Sequence, residues 1–556
     1  MEDDDRLGAG EKWVHAPTTP GQNAVARHSS SGGIRVNSMG TPRRYGSLAA
    51  PEPDDADPDD GGQNETGTVF GTTFNTITNV IGGGVLALPD AMYQSSIGVG
   101  VILCVFSSIA STFAVYVLVH ACEYYERFSM MDVWSHALYP PAPTDVVMAA
   151  VYRKEDNIIN NREEPELDAF FESEERKARW RVWMSDFMIV LIFLYNFGCL
   201  VLYGVVIGDS LPPVVQNFFH GSGIWIDKGT WLIVGGVAFF ALTCVRKMSE
   251  LMWSSILGFV TILYVIILVA VRYFTFKANP EDMPTFNQDV TEVKYFEFGE
   301  GVATSMTAFA LAYCYHYNVP YYYKELKERT PEKYLKTSIF SQPVTFVSYV
   351  ATGVLGYLTF GAAVDNAHSG GNIVHNYADD DVAVNIGRFG LFFHFVCVYP
   401  ILAVSCRRGL HHVVEQHILR PMRKDQRRKA ERVQGMTPQS AFQSVRVSVL
   451  ETPLINEDPK LFVIIIEAFS IVSLSIICAW VAPGIKIVVN ITGSLFGLFL
   501  MLIAPGLIGV KMFKARARNI EGIYNPASEM RKYWFSWALV VSGVIFTVVS
   551  FYTIVA

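Results

Sequence analysis

Charged residues are scarce in this chain and unevenly distributed. Asp, Glu, Lys and Arg make up 17% of its 556 residues, whereas an average soluble domain carries about 25%. Long stretches have almost no charge, and the short stretches between them are dense in it. This pattern disfavours an ordinary soluble domain. The net charge of −8 is modest, and because much of the acid lies in the N-terminal tail, we infer no basic partner from it.

Cysteine is the second scarce residue, with eight in the chain. The cysteines fall in or beside apolar stretches, as Cys104, Cys199, Cys314 and Cys478 do. No pair stands in a loop where a bridge would form, and the spacing of a zinc site is absent. We therefore expect neither a disulfide framework nor a metal site.

Long apolar runs dominate the rest of the sequence. A helix needs roughly 20 mostly apolar residues to cross a bilayer. About eleven stretches meet this requirement, and they lie at 68–93, 97–120, 183–208, 229–245, 251–273, 298–320, 338–361, 384–405, 460–480, 485–510 and 533–555. So many runs of one length disfavour the alternative of buried helices in a large soluble protein. Lipid offers the backbone no hydrogen-bond partner, so we predict an all-α membrane protein.

The distribution of Lys and Arg predicts the orientation. With the N-terminus in the cytoplasm, the cytoplasmic loops hold roughly thirty Lys and Arg residues and the opposite loops about five. The predicted cytoplasmic loops are 121–182, 246–250, 321–337, 406–459 and 511–532.

Three regions outside the spans complete the predicted organisation. Residues 1–67 are rich in Gly, Pro, Ser and Asp and predict a disordered cytoplasmic tail, followed by a transmembrane domain over 68–556. Residues 138–182 and 421–459 are predicted cytoplasmic insertions. Tyr45-Gly46-Ser47-Leu48 has the form of a sorting signal, so the plasma membrane and a vacuolar or lysosomal membrane both remain open.

A run of three glycines is the strongest local signal. Gly82, Gly83 and Gly84 disfavour a continuous helix in the first span. Unwound backbone at membrane depth offers N–H and C=O groups that suit the carboxylate and ammonium of an amino acid. Close helix packing through small residues is the alternative. Pro89 and the polar Asn79 favour a broken, site-forming helix, so we expect Asn79 and the three glycines to bind substrate.

Four motifs in register resemble one protein family. Residues 82–89, with Gly-x-Gly, Val-Leu and Leu-Pro, resemble the first span of the amino acid/auxin permease family, and 304–326 resemble its sixth span. Residues 358–402 are similar to the seventh-to-eighth span region of the sodium-coupled neutral amino acid transporter branch, and 483–505 resemble the tenth span. The third motif includes Asp365, Asp380, Ala383, Val384, Arg388, Tyr399, Pro400, Ile401 and Leu402.

This resemblance covers roughly residues 68–556 apart from the two insertions, and it implies a LeuT-type fold of two inverted five-helix repeats plus one helix. The first and sixth spans are then discontinuous and hold the substrate at the membrane midplane. Carried over to this sequence, the residues implied for the pocket are Gly82, Gly83 and Gly84 in the first span and Ala308, Phe309 and Ala310 in the sixth.

The sequence departs from the family where a coupling ion binds. Thr78 stands where many members have Asn, and Asn79 lies one residue later, about 100° round a helix. Before Tyr399, where sodium-coupled members carry Ser or Thr, the chain has His394 and Cys397. Sodium prefers hard oxygen ligands, whereas a His can carry a proton near neutral pH. We name Thr78, His394 and Cys397 as tentative coupling-ion residues, with a hydrogen-bonded core histidine as the alternative for His394.

Three further polar residues lie in or near apolar runs. We expect Arg388 to tie backbone carbonyls and Glu467 to pack or reach the membrane surface. His316 is expected to be structural or to form a gate.

Together these features predict a secondary active transporter that moves amino acids, which we expect to be neutral, by alternating access. H+ is favoured over Na+ as the coupling ion, and no other cofactor is expected. The alternatives are a sodium-coupled glutamine-type symporter and a membrane amino acid sensor. We expect no enzyme, because no Ser/His/Asp arrangement or phosphate loop appears. The expected partners are the amino acid and the lipid bilayer, with no nucleic acid and with protein partners left open.

Overall fold

The computed structural model describes residues 68–160, 162–244, 252–284, 293–365, 369–419, 461–518 and 524–555. The predicted tail 1–67, the sorting signal within it and the insertion 421–459 lie outside the described residues.

Sixteen α-helices, which we number in chain order, follow one another in the described residues. They are α1 (Val69–Val80), α2 (Leu88–Ser95), α3 (Ile97–Tyr125), α4 (Met130–Leu138), α5 (Thr144–Ile159), α6 (Pro165–Phe219), α7 (Lys228–Thr243), α8 (Met252–Ala278), α9 (Gly301–Tyr313), α10 (Val319–Glu325), α11 (Pro331–Phe360), α12 (Val382–Val414), α13 (Leu461–Val481), α14 (Ile485–Thr492), α15 (Ala504–Ala517) and α16 (Pro526–Val555).

Eight helical stretches in the described residues are long and apolar enough to cross a membrane. They are α3, α6, α8, α11, α12, α13, the run from α14 to α15, and α16. The shorter α7 is apolar as well, and the remaining two predicted spans, 68–93 and 298–320, are each split into separate helices. The predicted all-α membrane fold is confirmed, while the count of eleven spans stays a prediction.

The first span is interrupted where the glycines stand. α1 ends at Val80, a 3-10 turn runs over Gly83–Ala87, and α2 begins at Leu88 with a proline in its first turn. Glycine disfavours helix, and proline at the start of a helix removes an N–H that would have no helical partner. The broken helix predicted from the glycine run is confirmed.

The sixth span is also interrupted, but without a run of glycines. α9 continues to Tyr313, Cys314 is extended, and a 3-10 turn over His316–Asn318 leads into α10. Pro320 stands in the first turn of α10. A proline in the first turn lacks an N–H that would have no helical partner there, so it is compatible with the restart of the helix. The break itself comes earlier, at the extended Cys314.

The tenth span is a third irregular segment. Between α14 and α15 the chain forms two π-helical turns, Gly493–Gly497 and Phe499–Ile503. A side chain on Gly493 would stand 2.2 Å from the Thr307 carbonyl oxygen on α9. The glycine therefore allows this span to lie directly against the interrupted sixth span.

The insertion predicted at 138–182 is helical where it is described. It contains α5 and the first turns of α6, and ion pairs join the two helices. Arg153 Nε lies 2.8 Å from a Glu164 oxygen and Lys154 Nζ lies 3.1 Å from an Asp168 oxygen. All four side chains are partly or largely exposed, so these pairs orient α5 rather than add much stability.

Candidate functional site

A small cavity of about 40 Å³ lies where the two interruptions face each other. Its volume holds roughly three water molecules. An amino acid therefore requires the surrounding side chains to move. The lining residues come from the first, sixth, third and eighth predicted spans, and they are Asn79, Val80, Gly82, Gly83, Gly84, Tyr195, Cys199, Leu202, Tyr203, Leu311, Ala312, Cys314, Tyr317 and Leu402.

Backbone carbonyls of both interrupted helices converge at one side of this cavity. The Tyr349 hydroxyl on α11 lies 2.7 Å from the Val80 oxygen at the end of α1 and 2.7 Å from the Ala312 oxygen near the end of α9. The side chain is fully buried. Since a hydroxyl has one proton, it donates to one of the two carbonyls at a time. Tyr349 thus bridges the ends of the two half-helices.

Tyr195 on α6 forms a second bridge of the same kind. Its hydroxyl lies 3.1 Å from the Leu311 oxygen and 3.0 Å from the Cys314 oxygen. One proton again serves two carbonyls. The C-terminal ends of α1 and α9 carry the negative ends of their helix dipoles. Together these groups leave acceptor capacity that suits a ligand ammonium.

Backbone N–H groups lie on the other side of the first interruption. Gly83 and Gly84 start the 3-10 turn, where the N–H groups have no helical acceptor, and no side chain caps the turn. This end of a helix favours a negative charge. The interruption can therefore contact a carboxylate and an ammonium at the same time.

The glycines are needed for close approach. None of the three has a positive φ. A side chain on Gly83 would stand 3.2 Å from the Tyr203 ring and 3.3 Å from the Phe395 ring, which stack on each other with centroids 4.6 Å apart. One on Gly84 would stand 3.2 Å from the Ala312 Cα. A side chain at Gly83 or Gly84 would therefore press against a ring or the backbone and force it to shift, whereas one at Gly82 would meet only an ordinary 3.6 Å contact with the Tyr203 hydroxyl.

The cavity wall carries no ionised side chain. Among the lining residues of the described chain, the polar groups are one amide, two thiols and three phenols, and the rest are apolar or backbone. Asn79 Nδ2 donates to the Tyr322 hydroxyl at 2.6 Å, which ties α1 to α10 across the interruption. A ligand that is neutral overall matches such a wall, because an unpaired buried charge is costly.

Of the residues predicted to bind substrate, the structure brings four to the cavity. Asn79, Gly82, Gly83 and Gly84 line it. Those predicted in the sixth span, Ala308, Phe309 and Ala310, are buried inside α9 and do not line it. The physical reason is that α9 stays helical to Tyr313, so its open backbone lies later in the chain.

The three tentative coupling-ion residues lie away from this lining. Thr78 donates its hydroxyl to the Phe74 carbonyl of its own helix at 3.0 Å. His394 is 1% exposed and packs against Gly258 of α8, where a side chain would stand 2.5 Å from the imidazole Nδ1. Cys397 is partly buried on α12. A role of these residues in ion binding stays a prediction.

Two of the other polar residues are explained directly. Arg388 donates to the carbonyls of Val374 and Tyr377 at 3.1 and 3.2 Å and to the Asn385 side chain at 2.9 Å, which confirms the predicted tie to backbone carbonyls. Glu467 is buried and contacts His411 Nδ1 at 3.0 Å.

His316 is fully buried, and its Nε2 lies 3.4 Å from the Ser111 carbonyl oxygen. This contact attaches the interruption of the sixth span to α3.

Sequence reasoning missed the tyrosines. Tyr195, Tyr203 and Tyr349 stand in apolar runs. A buried phenol needs a hydrogen-bond partner, and this need is the one signal that the sequence offers for them. The carbonyl partners of Tyr195 are 116 and 119 positions away and those of Tyr349 are 37 and 269 positions away, so the signal did not identify them.

The fold and the cavity define a class: an all-α membrane protein in which two interrupted helices enclose a small uncharged site. A sequence profile of the transmembrane amino acid transporter protein family matches residues 65–142 and 161–555. Because the match covers most of the chain, the protein belongs to this family. The membership confirms the resemblance and the expectation of a transporter rather than an enzyme. The unmatched stretch between the two segments contains α5.

Individual relatives are distant. Amino acid transporter AVT6E of Arabidopsis thaliana is 24% identical over 63% of this chain and 64% of the relative. Vacuolar amino acid transporter 7 of Saccharomyces cerevisiae is 23% identical over 63% of this chain and 60% of the relative. Sodium-coupled neutral amino acid symporter 2 of Danio rerio is 24% identical over 40% and 47%. The alignments thus span less than two thirds of each relative's own length.

Among solved structures, a manganese transporter of Eremococcus coleocola is similar over 88% of this chain and 98% of its own, with 10% identity and a TM-score of 0.34.

Proposed function

We propose that this protein is a secondary active transporter of neutral amino acids that works by alternating access. The observation that carries the proposal is the cavity between the two interruptions. It presents carbonyls at the ends of α1 and α9, N–H groups at the start of the 3-10 turn, and an uncharged wall. These groups complement an ammonium, a carboxylate and an apolar or small polar side chain, respectively.

The aromatic wall sets the size of the accepted side chain. Tyr203 and Tyr317 face the cavity together with Cys199, Leu202 and Leu402. Moving two phenol rings enlarges a cavity of about 40 Å³ without breaking the carbonyl bridges of Tyr195 and Tyr349. We therefore expect amino acids with small to medium apolar side chains to be preferred over charged ones.

Protons are the proposed coupling ion, with sodium as the alternative. Cys397 offers a soft sulfur rather than the hard oxygen that sodium prefers, and the His394 imidazole can take up a proton. The Thr78 hydroxyl donates to its own helix but keeps its oxygen lone pairs, so it is the residue to test for sodium. The relative from Danio rerio is named as sodium-coupled, which keeps the alternative open to test.

An acidic organelle is the proposed location. The relative from Saccharomyces cerevisiae is named as vacuolar, and a proton-driven carrier needs a membrane with a proton gradient. The plasma membrane is the alternative. In either membrane we propose a cytoplasmic N-terminus, on the strength of the basic loops.

Purified protein in liposomes tests the proposal. Uptake of radiolabelled neutral, acidic and basic amino acids is measured with a pH gradient, with a sodium gradient and with neither. We expect neutral amino acids to accumulate with the pH gradient. This accumulation should disappear with a protonophore and should not change when sodium is replaced by a large organic cation. Accumulation that requires sodium would reject proton coupling, and accumulation of charged amino acids alone would reject the substrate class.

A further inference from the structure

A cluster of ionisable side chains lies beyond the cavity, at the predicted non-cytoplasmic end of the helices. Lys486 Nζ contacts Asp365 and lies 3.8 Å from Asp90 Oδ1. Gln94 donates through Nε2 to Asp365 at 2.8 Å and to Asp90 at 3.3 Å. We call Asp90, Gln94, Asp365 and Lys486 the outer cluster.

The outer cluster joins three separate parts of the chain. Asp90 and Gln94 belong to α2, Asp365 ends the 3-10 turn after α11, and Lys486 stands in the first turn of α14. A lysine in the first turn of a helix is opposed by the helix dipole, so its carboxylate partners outweigh that preference. The Lys486 N–H also donates to the Gly370 carbonyl at 3.2 Å, which fixes the adjacent loop to α14.

Burial is graded through the outer cluster. The Asp90 residue is 6% exposed, whereas the side chains of Asp365 and Lys486 are 26% and 31% exposed. The outer two groups therefore reach water, and the inner carboxyl is reached through them. A proton from solvent can therefore reach the pair at the Asp365 carboxyl.

The charges of the outer cluster do not balance. Two carboxyl groups share one ammonium, and both carboxyls contact the same Gln94 amide. With both carboxyls ionised, one negative charge remains in a largely buried place, which is unfavourable. One added proton makes the cluster neutral, and because the two carboxyls are close, that proton belongs to the pair.

Among the described residues, no other ion pair contributes to the charge of the outer cluster. The elements that pack on α2 are α3, α9, α11 and the turn Gly361–Asp365, and the charged groups facing Asp90 are Lys486 and Asp365. The other titratable groups beside α2 lie at its C-terminal half and contact other partners, namely Tyr357 against Tyr93, and Lys294 paired with Glu297 next to Ser96.

The position of Asp90 connects this charge to the transport site. α2 follows the 3-10 turn that begins at Gly83, so α2 and one wall of the cavity are a single short segment. While Lys486 is held by two carboxylates, α2 is tied to α14 and to the loop outside it. Neutralising one carboxyl weakens the contact between α2 and α14. This contact lies on the side from which the cavity must open to the non-cytoplasmic space.

We propose that the outer cluster is the proton-binding site of the transporter, with the Asp90–Asp365 pair holding the transported proton and its protonation releasing α2 from α14. This rests on the proposed proton-driven transport of amino acids. It assigns the proton to residues outside the substrate cavity and to a different span from His394.

Substrate-driven proton movement in liposomes tests the assignment, with a pH-sensitive dye inside and the preferred neutral amino acid added outside. We expect proton movement to be abolished in Asp90→Asn. The matched control is Asp209→Asn, which removes a charge from a balanced pair with Lys228 at 2.8 Å, and in which proton movement persists. Gel filtration and thermal unfolding establish that each variant is folded.

Two further variants give opposite shifts that a merely structural role would not produce. Lys486→Gln removes the cation, so the pH midpoint of transport should rise by about one unit or more. Asp365→Asn removes the like charge, so the midpoint should fall. These shifts remain measurable even if Asp90→Asn does not fold.

The outcomes separate the two proposals. Proton movement that persists in folded Asp90→Asn, or midpoints that stay fixed in both other variants, would overturn the assignment while proton-driven transport stands. Proton movement lost in His394→Gln but kept in Asp90→Asn would also overturn it, in favour of the histidine. A wild-type protein that moves amino acids with sodium and without protons would reject both.

Discussion

The Tyr349 bridge gives the sharpest test of the site. Replacing Tyr349 by Phe removes one oxygen atom and keeps the ring, which packs edge-on against Tyr313 at 4.9 Å between centroids. The change leaves the carbonyls of Val80 and Ala312 without the hydroxyl that now lies 2.7 Å from each. Val80 and Ala312 are both buried.

The loss of affinity or stability in Tyr349→Phe depends on how many hydrogen bonds the hydroxyl donates. The hydroxyl donates to one carbonyl at a time, so one hydrogen bond is lost. The Val80 carbonyl still accepts from the Gly82 N–H at 2.9 Å, so the Ala312 carbonyl loses its partner, and a buried acceptor left unpaired costs about 1–3 kcal/mol. If that cost falls on the arrangement that binds substrate, affinity drops by roughly 5- to 150-fold, because each 1.4 kcal/mol is about tenfold. If the loss destabilises the fold instead, the free energy of unfolding decreases by the same amount.

Binding of a radiolabelled substrate and thermal unfolding are therefore measured together. Tyr357→Phe is the matched control on the same helix, because its hydroxyl accepts one hydrogen bond, from the Lys294 N–H at 3.0 Å, far from the cavity. We expect its affinity to remain near that of the wild type. Unchanged affinity and unchanged stability in Tyr349→Phe would refute the view that this hydroxyl holds the two half-helices together.

Three further outcomes are expected. In Gly83→Val the first added carbon would stand 3.2 Å from the Tyr203 ring and 3.3 Å from the Phe395 ring, and two methyl groups follow it beside the cavity, so substrate binding should be lost while the protein still reaches the membrane. Gly235→Ala, which meets only an ordinary 3.4 Å contact, is the control. Normal uptake by Gly83→Val would contradict the role of the glycines. A protease site inserted in 366–372 should be cut from the non-cytoplasmic side and one in 433–440 from the cytoplasmic side, and the reverse pattern would overturn the predicted orientation. Arg388→Met breaks three hydrogen bonds of a buried guanidinium and should lower the free energy of unfolding by about 2–4 kcal/mol, which an unchanged melting temperature would contradict.

The two interruptions differ in how far the sequence predicted them. Three consecutive glycines have one strong local consequence, and the break in the first span stands where they do. In the sixth span, Ala308, Phe309 and Ala310 are compatible with helix, and they remain in α9. The break instead follows Tyr313, where neither Gly nor Pro stands, and the residue before Pro320 is helical. The family resemblance indicated which span is interrupted, whereas the position of the break along that span depends on the local backbone.

Contacts between distant segments were beyond a single sequence. The Tyr349 hydroxyl meets a carbonyl 269 positions away, and Lys486 meets a carboxylate 121 positions away. Neither partner has a periodic or local signature, since each depends on how whole helices pack. The charges of Asp90 and Lys486 were visible in the sequence, but their proximity was not.

The length of α6 has a practical consequence. Its 55 residues are far more than a bilayer needs, and if the span begins near residue 183, the 18 residues from Pro165 onward extend about 27 Å beyond the membrane. Exposed Trp180 and Trp183 stand where that boundary would be, as aromatic residues do at lipid interfaces. With α5 joined to it by ion pairs, this extension forms a helical projection from the membrane. It would orient single particles in electron micrographs and provide an epitope for a binding fragment that leaves the transport site untouched.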